Sequence, residues 1–252
     1  MSEHVRVETS GGVRAITLAR PERRNAITVA MYAALADAVE GAAGDPAIRV
    51  ITLAGQGQDF AAGNDLADFL NAAPRDGEEI PVWRLLRALA QCEIPLVAAV
   101  QGNCVGIGTT MLLHCDLVVA DANSRFSLPF VDLALVPEAA SSLLLPRLAG
   151  RRRAARYLLL AEPFGATEAL DIGLISHVAE PGALDEALKD IVQRLLAKPE
   201  TALRETQRLL RHGQRSEILE RMKLEGIAFT ERLTSDEVKQ AISDFFASRA
   251  AR

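Results

Sequence analysis

Phe60-Ala61-Ala62-Gly63-Asn64-Asp65-Leu66 and Gln101-Gly102-Asn103-Cys104-Val105-Gly106-Ile107-Gly108 are two glycine-bearing turns at the edges of apolar runs. Glycine reaches backbone angles that other residues avoid, so each reads first as an ordinary strand-to-helix turn. A second reading is chemical. Asn64 and Ile107 each follow a glycine, and two backbone N–H groups aimed at one oxygen stabilise negative charge developing on a carbonyl. Removing one such donor typically costs about 3–4 kcal/mol of transition-state stabilisation. Spacing alone is compatible with both readings.

The flanking segments set these turns in an α/β chain. Residues 13–19 and 48–54 are apolar and β-branched, and residues 95–100 form a short continuous apolar run, as buried strands do. Between the first two lies an alanine-rich stretch, 29–43, apolar at helical spacing and stopped by Gly44-Asp45-Pro46. Residues 77–91 read as another helix, with residues 71–76 before them as a loop. Strand, strand, helix alternation to about residue 180 indicates an α/β architecture. Beyond it the pattern becomes helical, over 184–197, 199–212, 216–233 and 236–249, with Lys198-Pro199 and Gly213 as punctuation. We divide the chain into an α/β core, 1–195, and a C-terminal helical region, 196–252.

A chain of 252 residues, 49% apolar, can bury a sizeable core. Its net charge of −5 offers no broad cationic field for nucleic acid or an anionic membrane, so any anionic ligand must be met by local clusters. Cys92, Cys104 and Cys115 form no Cys-x-x-Cys pair and sit in apolar stretches, which favours reduced core thiols and a cytoplasmic setting. The N-terminal residues lack the apolar segment of an export signal, and no stretch approaches the roughly 18 apolar residues of a membrane span. The four histidines are scattered and suggest no metal site.

Five blocks in order carry a resemblance. They are Ile16 to Ile27 with its Arg20-Pro21 and Asn25-Ala26; the Phe60–Leu66 turn; Pro95 through Gly108 to Cys115-Asp116; Phe126-Ser127-Leu128-Pro129; and Leu135-Val136-Pro137-Glu138 through Leu145-Pro146-Arg147-Leu148-Ala149-Gly150. The chain resembles the crotonase superfamily, the enoyl-CoA hydratase/isomerase family, along nearly its whole length. The resemblance implies a spiral of ββα units followed by a C-terminal helical trimerisation region, with homotrimers often paired into hexamers. It also implies an acyl-CoA thioester substrate, coenzyme A entering as part of that substrate and no tightly bound cofactor. Asn64 and Ile107 occupy the positions that supply the family's oxyanion-hole N–H groups.

An oxyanion hole acidifies the C–H bonds beside a thioester carbonyl, and a base must then take the proton. Family hydratases use two glutamates. Their positions fall here on Thr110 and Phe130, neither of which is a carboxylate base. The nearby acid in the motif is Glu138, which matches the catalytic carboxylate of several branches, including one group of Δ3,Δ2-enoyl-CoA isomerases. Its competing role is at a helix start, since a glutamate after proline in a first turn meets the positive end of the helix dipole. Asp132 receives no role.

Coenzyme A carries phosphates, and Arg20, Arg23 and Arg24 cluster in the opening block. We assign Arg24 to the nucleotide, with an exposed basic turn as the alternative. Ala62, Asp65 and Leu66 match family positions lining the adenine and pantetheine channel. Many members carry a lysine near the C-terminus that reaches coenzyme A from a neighbouring subunit. Ser248 stands there in this chain, which moves that contact toward Lys239 or Arg249 or removes it. Trp83, Phe69 and Leu70 are candidates for the acyl pocket, His114 reads as a satisfied core histidine, and Arg151-Arg152-Arg153 as a solvated face.

The inventory favours a Δ3,Δ2-enoyl-CoA isomerase working with one glutamate. An enoyl-CoA hydratase of atypical active site is the nearest alternative, and a non-catalytic acyl-CoA-binding or scaffold protein is one of another class.

Overall fold

A computed structural model describes residues 2–71 and 80–250. Strands β1 (Val5–Ser10) and β2 (Val13–Leu18) form an antiparallel hairpin closed by Gly11-Gly12. A two-residue turn of this kind matches the natural twist of paired strands. β1 buries only Val5 and exposes the rest, as suits a sheet edge.

The main sheet continues in parallel through β3 (Val50–Gly55) and β4 (Leu96–Val100). β6 (Leu117–Asp121) and β9 (His177–Ala179) complete the order β1-β2-β3-β4-β6-β9 among the described residues. All five residues of β4 are buried, because helices cover both faces of the sheet. One face packs on α1 (Val29–Ala43) and α3 (Pro81–Gln91), with Ile16, Leu53, Leu96 and Ala98 meeting Leu35, Val39 and Leu85 in the main core. The other meets α8 (Leu184–Leu196), where Val50, Val97 and Val119 join Ile191 and Val192.

Local chemistry sets the ends of these helices. The Thr28 side chain accepts from the Met31 N–H at 3.3 Å to cap α1, and Pro81 opens α3, where its missing N–H costs nothing. The strands at 13–19, 48–54 and 95–100 are present within two residues at each end, and the 29–43 helix has the bounds read from sequence. Of the expected 77–91 helix, Pro81–Gln91 is helical and 77–79 lie outside the described residues. Of the expected 71–76 loop, Asn71 ends α2 (Leu66–Asn71) and the rest lie outside them.

Each core strand feeds a second, shorter layer, which is the ββα repeat. β5 (Asn103–Val105) follows β4 and pairs in parallel with β7 (Arg125–Ser127), which follows β6; β8 (Phe164–Gly165) closes the layer. Single bridges extend it, Ala61 beside Cys104 and Ile27 beside Asn64. Successive turns of the spiral are therefore stacked, and both glycine-bearing turns lie in this layer.

α4 (Ile107–Thr110) follows β5 and continues as a 3₁₀ turn, Met111–His114. Farther on come α5 (Ser141–Ala149), α6 (Arg151–Leu159) and α7 (Ala166–Asp171). The chain ends in α9 (Glu200–Arg211), α10 (Arg215–Leu233) and α11 (Asp236–Ala250). Met222 and Phe229 of α10 and Val238 and Ile242 of α11 enter the main core. No helix among the described residues is long and apolar enough to cross a membrane.

Candidate active site

A buried polar network locks the loops that carry the two turns. Asn25, at φ 55°, donates from Nδ2 to the carbonyls of Gln56 and Asp59 at 2.9 and 2.8 Å and accepts the Arg20 N–H at 2.9 Å. Asp59 in turn accepts from the Asn103 backbone and side chain at 2.8 and 2.6 Å. Buried amides and carboxylates must find such partners, so three loops distant in sequence are tied into one unit.

The two turns touch. A methyl group on Gly63 would sit 3.1 Å from the Val105 carbonyl oxygen, and one on Gly108 would sit 3.0 Å from the Ala61 Cβ. The bridge beside Ile27 uses the Gly63 carbonyl and the Asp65 N–H, at 2.8 and 2.9 Å. In a parallel bridge this turns the Asn64 N–H to the opposite side. Gly106, at φ 55°, precedes α4, and its carbonyl accepts the N–H groups of Thr109 and Thr110, both at 2.9 Å. The Ile107 N–H is then a first-turn donor with no partner inside its helix. The sequence-read pair is thus brought together on adjacent, interlocked turns.

Glu138 lies behind them, 1% exposed, with Oε1 lacking any hydrogen-bond partner. Burial, and then the neighbouring Glu225 carboxylate, push its pKa up to about 8, while the Thr110 hydroxyl beside it opposes part of the rise. Thr110 ends the same short helix that Ile107 begins. From the other turn, the buried Tyr32 hydroxyl bonds Asn64 Oδ1, and Glu138 contributes after burial to raising the Tyr32 pKa. Tyr32 and Thr110 therefore connect both turns to the carboxyl group.

The structure corrects the expected placement of Glu138 in a first helical turn. α5 begins at Ser141, and the two residues between, Ala139 and Ala140, are both left-handed at φ 60° and 56°. Its first N–H groups are met instead from α10, where Glu225 accepts from Ala140 at 2.6 Å and Ser142 at 2.9 Å. Glu138 is left free of the capping role. His114 Nε2 meets the Ala139 carbonyl at 2.9 Å, and burial lowers its pKa to about 4, which keeps the ring neutral and donating at neutral pH. It is the satisfied core histidine read from sequence.

Phe130 is buried and Asp132 exposed. Asp65 pairs with Arg20 at 2.7 Å and accepts from the Asp68 N–H at the start of α2; despite the cost of partial burial, its pKa is lowered by the Arg20 hydrogen bond. Arg20 is therefore an internal partner, whereas the Arg24 side chain is 63% exposed, 3.8 Å from Asp59. The Arg24 carbonyl accepts the Ala62 N–H at 2.9 Å, so these two positions share an edge with half-buried Leu66. Lys239 pairs with Asp236, and Arg153 with Asp171. The side chains of Phe69, Leu70, Ser248 and Arg249 lie outside the described residues.

Trp83 lines a groove of about 900 Å³ between α3 and α10, with Met222, Gly226, Ile227 and Thr230, and packs edge-on against Phe229. Tyr32 and Glu225 were not singled out in the sequence. Neither has a local signature, since a tyrosine on an alanine-rich helix reads as core and a glutamate on an amphipathic one as surface.

Known proteins align with this arrangement over most of its length. The profile of the family described as Enoyl-CoA hydratase/isomerase matches residues 8–252. Crotonyl-CoA hydratase of Syntrophomonas wolfei is 30% identical, covering 99% of this chain and 97% of its own. The 1,2-epoxyphenylacetyl-CoA isomerase of Escherichia coli K12 is 34% identical over 79% of this chain and 78% of its own. The crystal structure of an enoyl-CoA hydratase/isomerase from Pseudoalteromonas atlantica T6c superposes with a TM-score of 0.93 at 39% identity, covering 98% of each chain. With its stacked ββα turns and interlocked donor loops, the chain belongs to the enoyl-CoA hydratase/isomerase family of the crotonase superfamily.

Proposed function

We propose that the protein is a Δ3,Δ2-enoyl-CoA isomerase in which Glu138 is the one catalytic base. The observation that carries this reading is the Glu138 carboxyl group itself, buried beside the two donor turns with an oxygen free of partners and a proton affinity near neutrality. A group of that kind can both take and return a proton at working pH. The N–H groups of Asn64 and Ile107 hold the thioester oxygen. Glu138 removes a proton from C2 of the 3-enoyl group, the electrons spread through the dienolate onto that oxygen, and the same carboxyl group delivers the proton to C4. The double bond moves from C3–C4 to C2–C3 and no water is consumed.

Hydration asks for a second acid or base, and the other buried carboxylate nearby is engaged. Both Glu225 oxygens accept backbone N–H groups. A hydratase using Glu138 alone is the second reading, and the similarity to a crotonyl-CoA hydratase favours it.

Arg24 serves the phosphates of coenzyme A, and the backbone at Ala62, Asp65 and Leu66 shapes the channel for the rest of the nucleotide and pantetheine. Exposed Leu159, Leu160, Leu209 and Leu210 support self-association as a trimer or a pair of trimers. The test supplies a 3-enoyl-CoA and a 2-enoyl-CoA separately and follows 2-enoyl thioester absorbance, with Glu138→Gln alongside. A gain from the first substrate that vanishes in the variant supports isomerisation. Steady loss from the second without gain from the first would replace it with hydration, and silence on both would favour a binding role.

A further inference from the structure

Glu225 stands out among the buried charged groups because the chemistry above does not use it. It is 7% exposed, on α10, and its two carboxylate oxygens reach across to the segment that follows Glu138. Helix starts are ordinarily capped by a Ser, Thr, Asp or Asn immediately before the helix, at no cost of burying a distant charge. Here the residue at that place is Ala140 in a left-handed conformation, which has no side-chain acceptor and disfavours alanine. The turn persists because a charged acceptor from the C-terminal helix holds it.

We propose that Glu225 is a positioning residue for the reaction, fixing the Ala139–Ala140 turn so that Glu138 faces the donor loops and setting the electrostatic field that Glu138 experiences. The proposal rests on Glu138 being the base. Its geometric part is the pair of N–H contacts two and four residues beyond Glu138. Its electrostatic part is the like charge, second only to burial among the causes that raise the proton affinity of Glu138.

Other groups face this pair. From α1 comes the Tyr32 phenol, held protonated by burial. The neutral Thr110 hydroxyl comes from α4, and neutral His114 contacts the Ala139 carbonyl. On α10 itself Arg221 favours the charged form of Glu225 and donates to Ser142 Oγ at 3.2 Å. Burial raises the proton affinity of Glu225 as well, while the N–H groups of Ser142 and Ala140 oppose the rise and keep its charge in place. The two carboxyl groups therefore titrate as a coupled pair.

Glu225→Gln keeps the shape and removes the charge. With a 3-enoyl-CoA, its acidic limb should move to lower pH by on the order of one unit, because Glu138 ionises more easily once the neighbouring charge is gone. Loss of turn geometry should lower kcat by roughly ten- to a hundredfold with KM nearly unchanged. Glu225→Asp restores the charge and should return the limb to its original position. A purely structural role would instead lower the amount of active enzyme equally at every pH.

A second readout needs no substrate. In protein labelled with ¹³C at glutamate carboxyl groups, the signal lost in Glu138→Gln identifies Glu138. In the unaltered protein that signal should titrate far above the ordinary range, with a curve distorted by its neighbour, even where Glu225 variants fail to fold. A simple transition near the ordinary glutamate value, or one unmoved in folded Glu225→Gln, overturns the proposal. Turnover that survives Glu138→Gln would instead overturn the reading of Glu138 as base, a result the carboxyl titration distinguishes.

Discussion

Replacing Glu138 with glutamine should abolish turnover and, at alkaline pH, make the folded protein more stable. In the unfolded chain this carboxyl group titrates near the ordinary 4.5, and in the folded one at about 8. Below the lower value both states hold the proton and the group adds no pH dependence. Between the two values the unfolded chain has released its proton while the folded one keeps it, so stability falls as pH rises. At about 1.4 kcal/mol per pH unit, the window corresponds to roughly 5 kcal/mol, all of it lost by the upper end. Glutamine has no such titration. Its buried amide brings a separate, pH-independent cost of about 1–3 kcal/mol if its N–H groups lack acceptors. The diagnostic is therefore the slope of the difference between the two proteins. Urea unfolding at about pH 5, 6.5 and 8, at one fixed protomer concentration, measures it. The variant should gain on the unaltered protein by several kcal/mol across that range. Parallel stability curves would refute the assignment of a raised proton affinity to Glu138.

The same ionisation should appear in catalysis, where kcat/KM rises with pH through an acidic limb near 8; a limb near 4.5 in a substrate series would contradict it. Tyr32→Phe removes the phenol that holds the Asn64 side chain, and should lower kcat roughly tenfold while costing about 1 kcal/mol in thermal unfolding. Gly63→Ala places a methyl group against the Val105 carbonyl at φ 86° and should destabilise by about 1–2 kcal/mol while separating the donor turns, read as a larger loss in kcat than in folded protein. Arg24→Ala should raise KM for coenzyme A thioesters several-fold at low salt, with kcat unchanged and the difference shrinking as salt is added.

How far the sequence reached depended on whether a feature was local. The helix over 29–43 and the strand after Pro95 were legible because periodicity, a threonine cap and a Gly-Asp-Pro stop all lie within the segment. β5, β7 and β8 were not, since strands of two or three residues carry too little pattern to separate from turns. Asn64, Ile107 and Glu138 were legible through five motif blocks, but the capping alternative for Glu138 could be decided only by seeing α5 begin at Ser141. The partners that connect the site were invisible for a physical reason. Tyr32 reaches Asn64 from another helix, and Glu225 reaches Ala140 across 85 residues, so each depends on tertiary packing.

The most direct test of the central claim supplies a 3-enoyl-CoA carrying deuterium at both C2 positions and follows where the label goes. One carboxyl group shuttling a single proton predicts a 2-enoyl-CoA with part of the deuterium at C4, and no product with Glu138→Gln. Formation of a 3-hydroxyacyl-CoA without label transfer, or undiminished isomerisation by the variant, would contradict it.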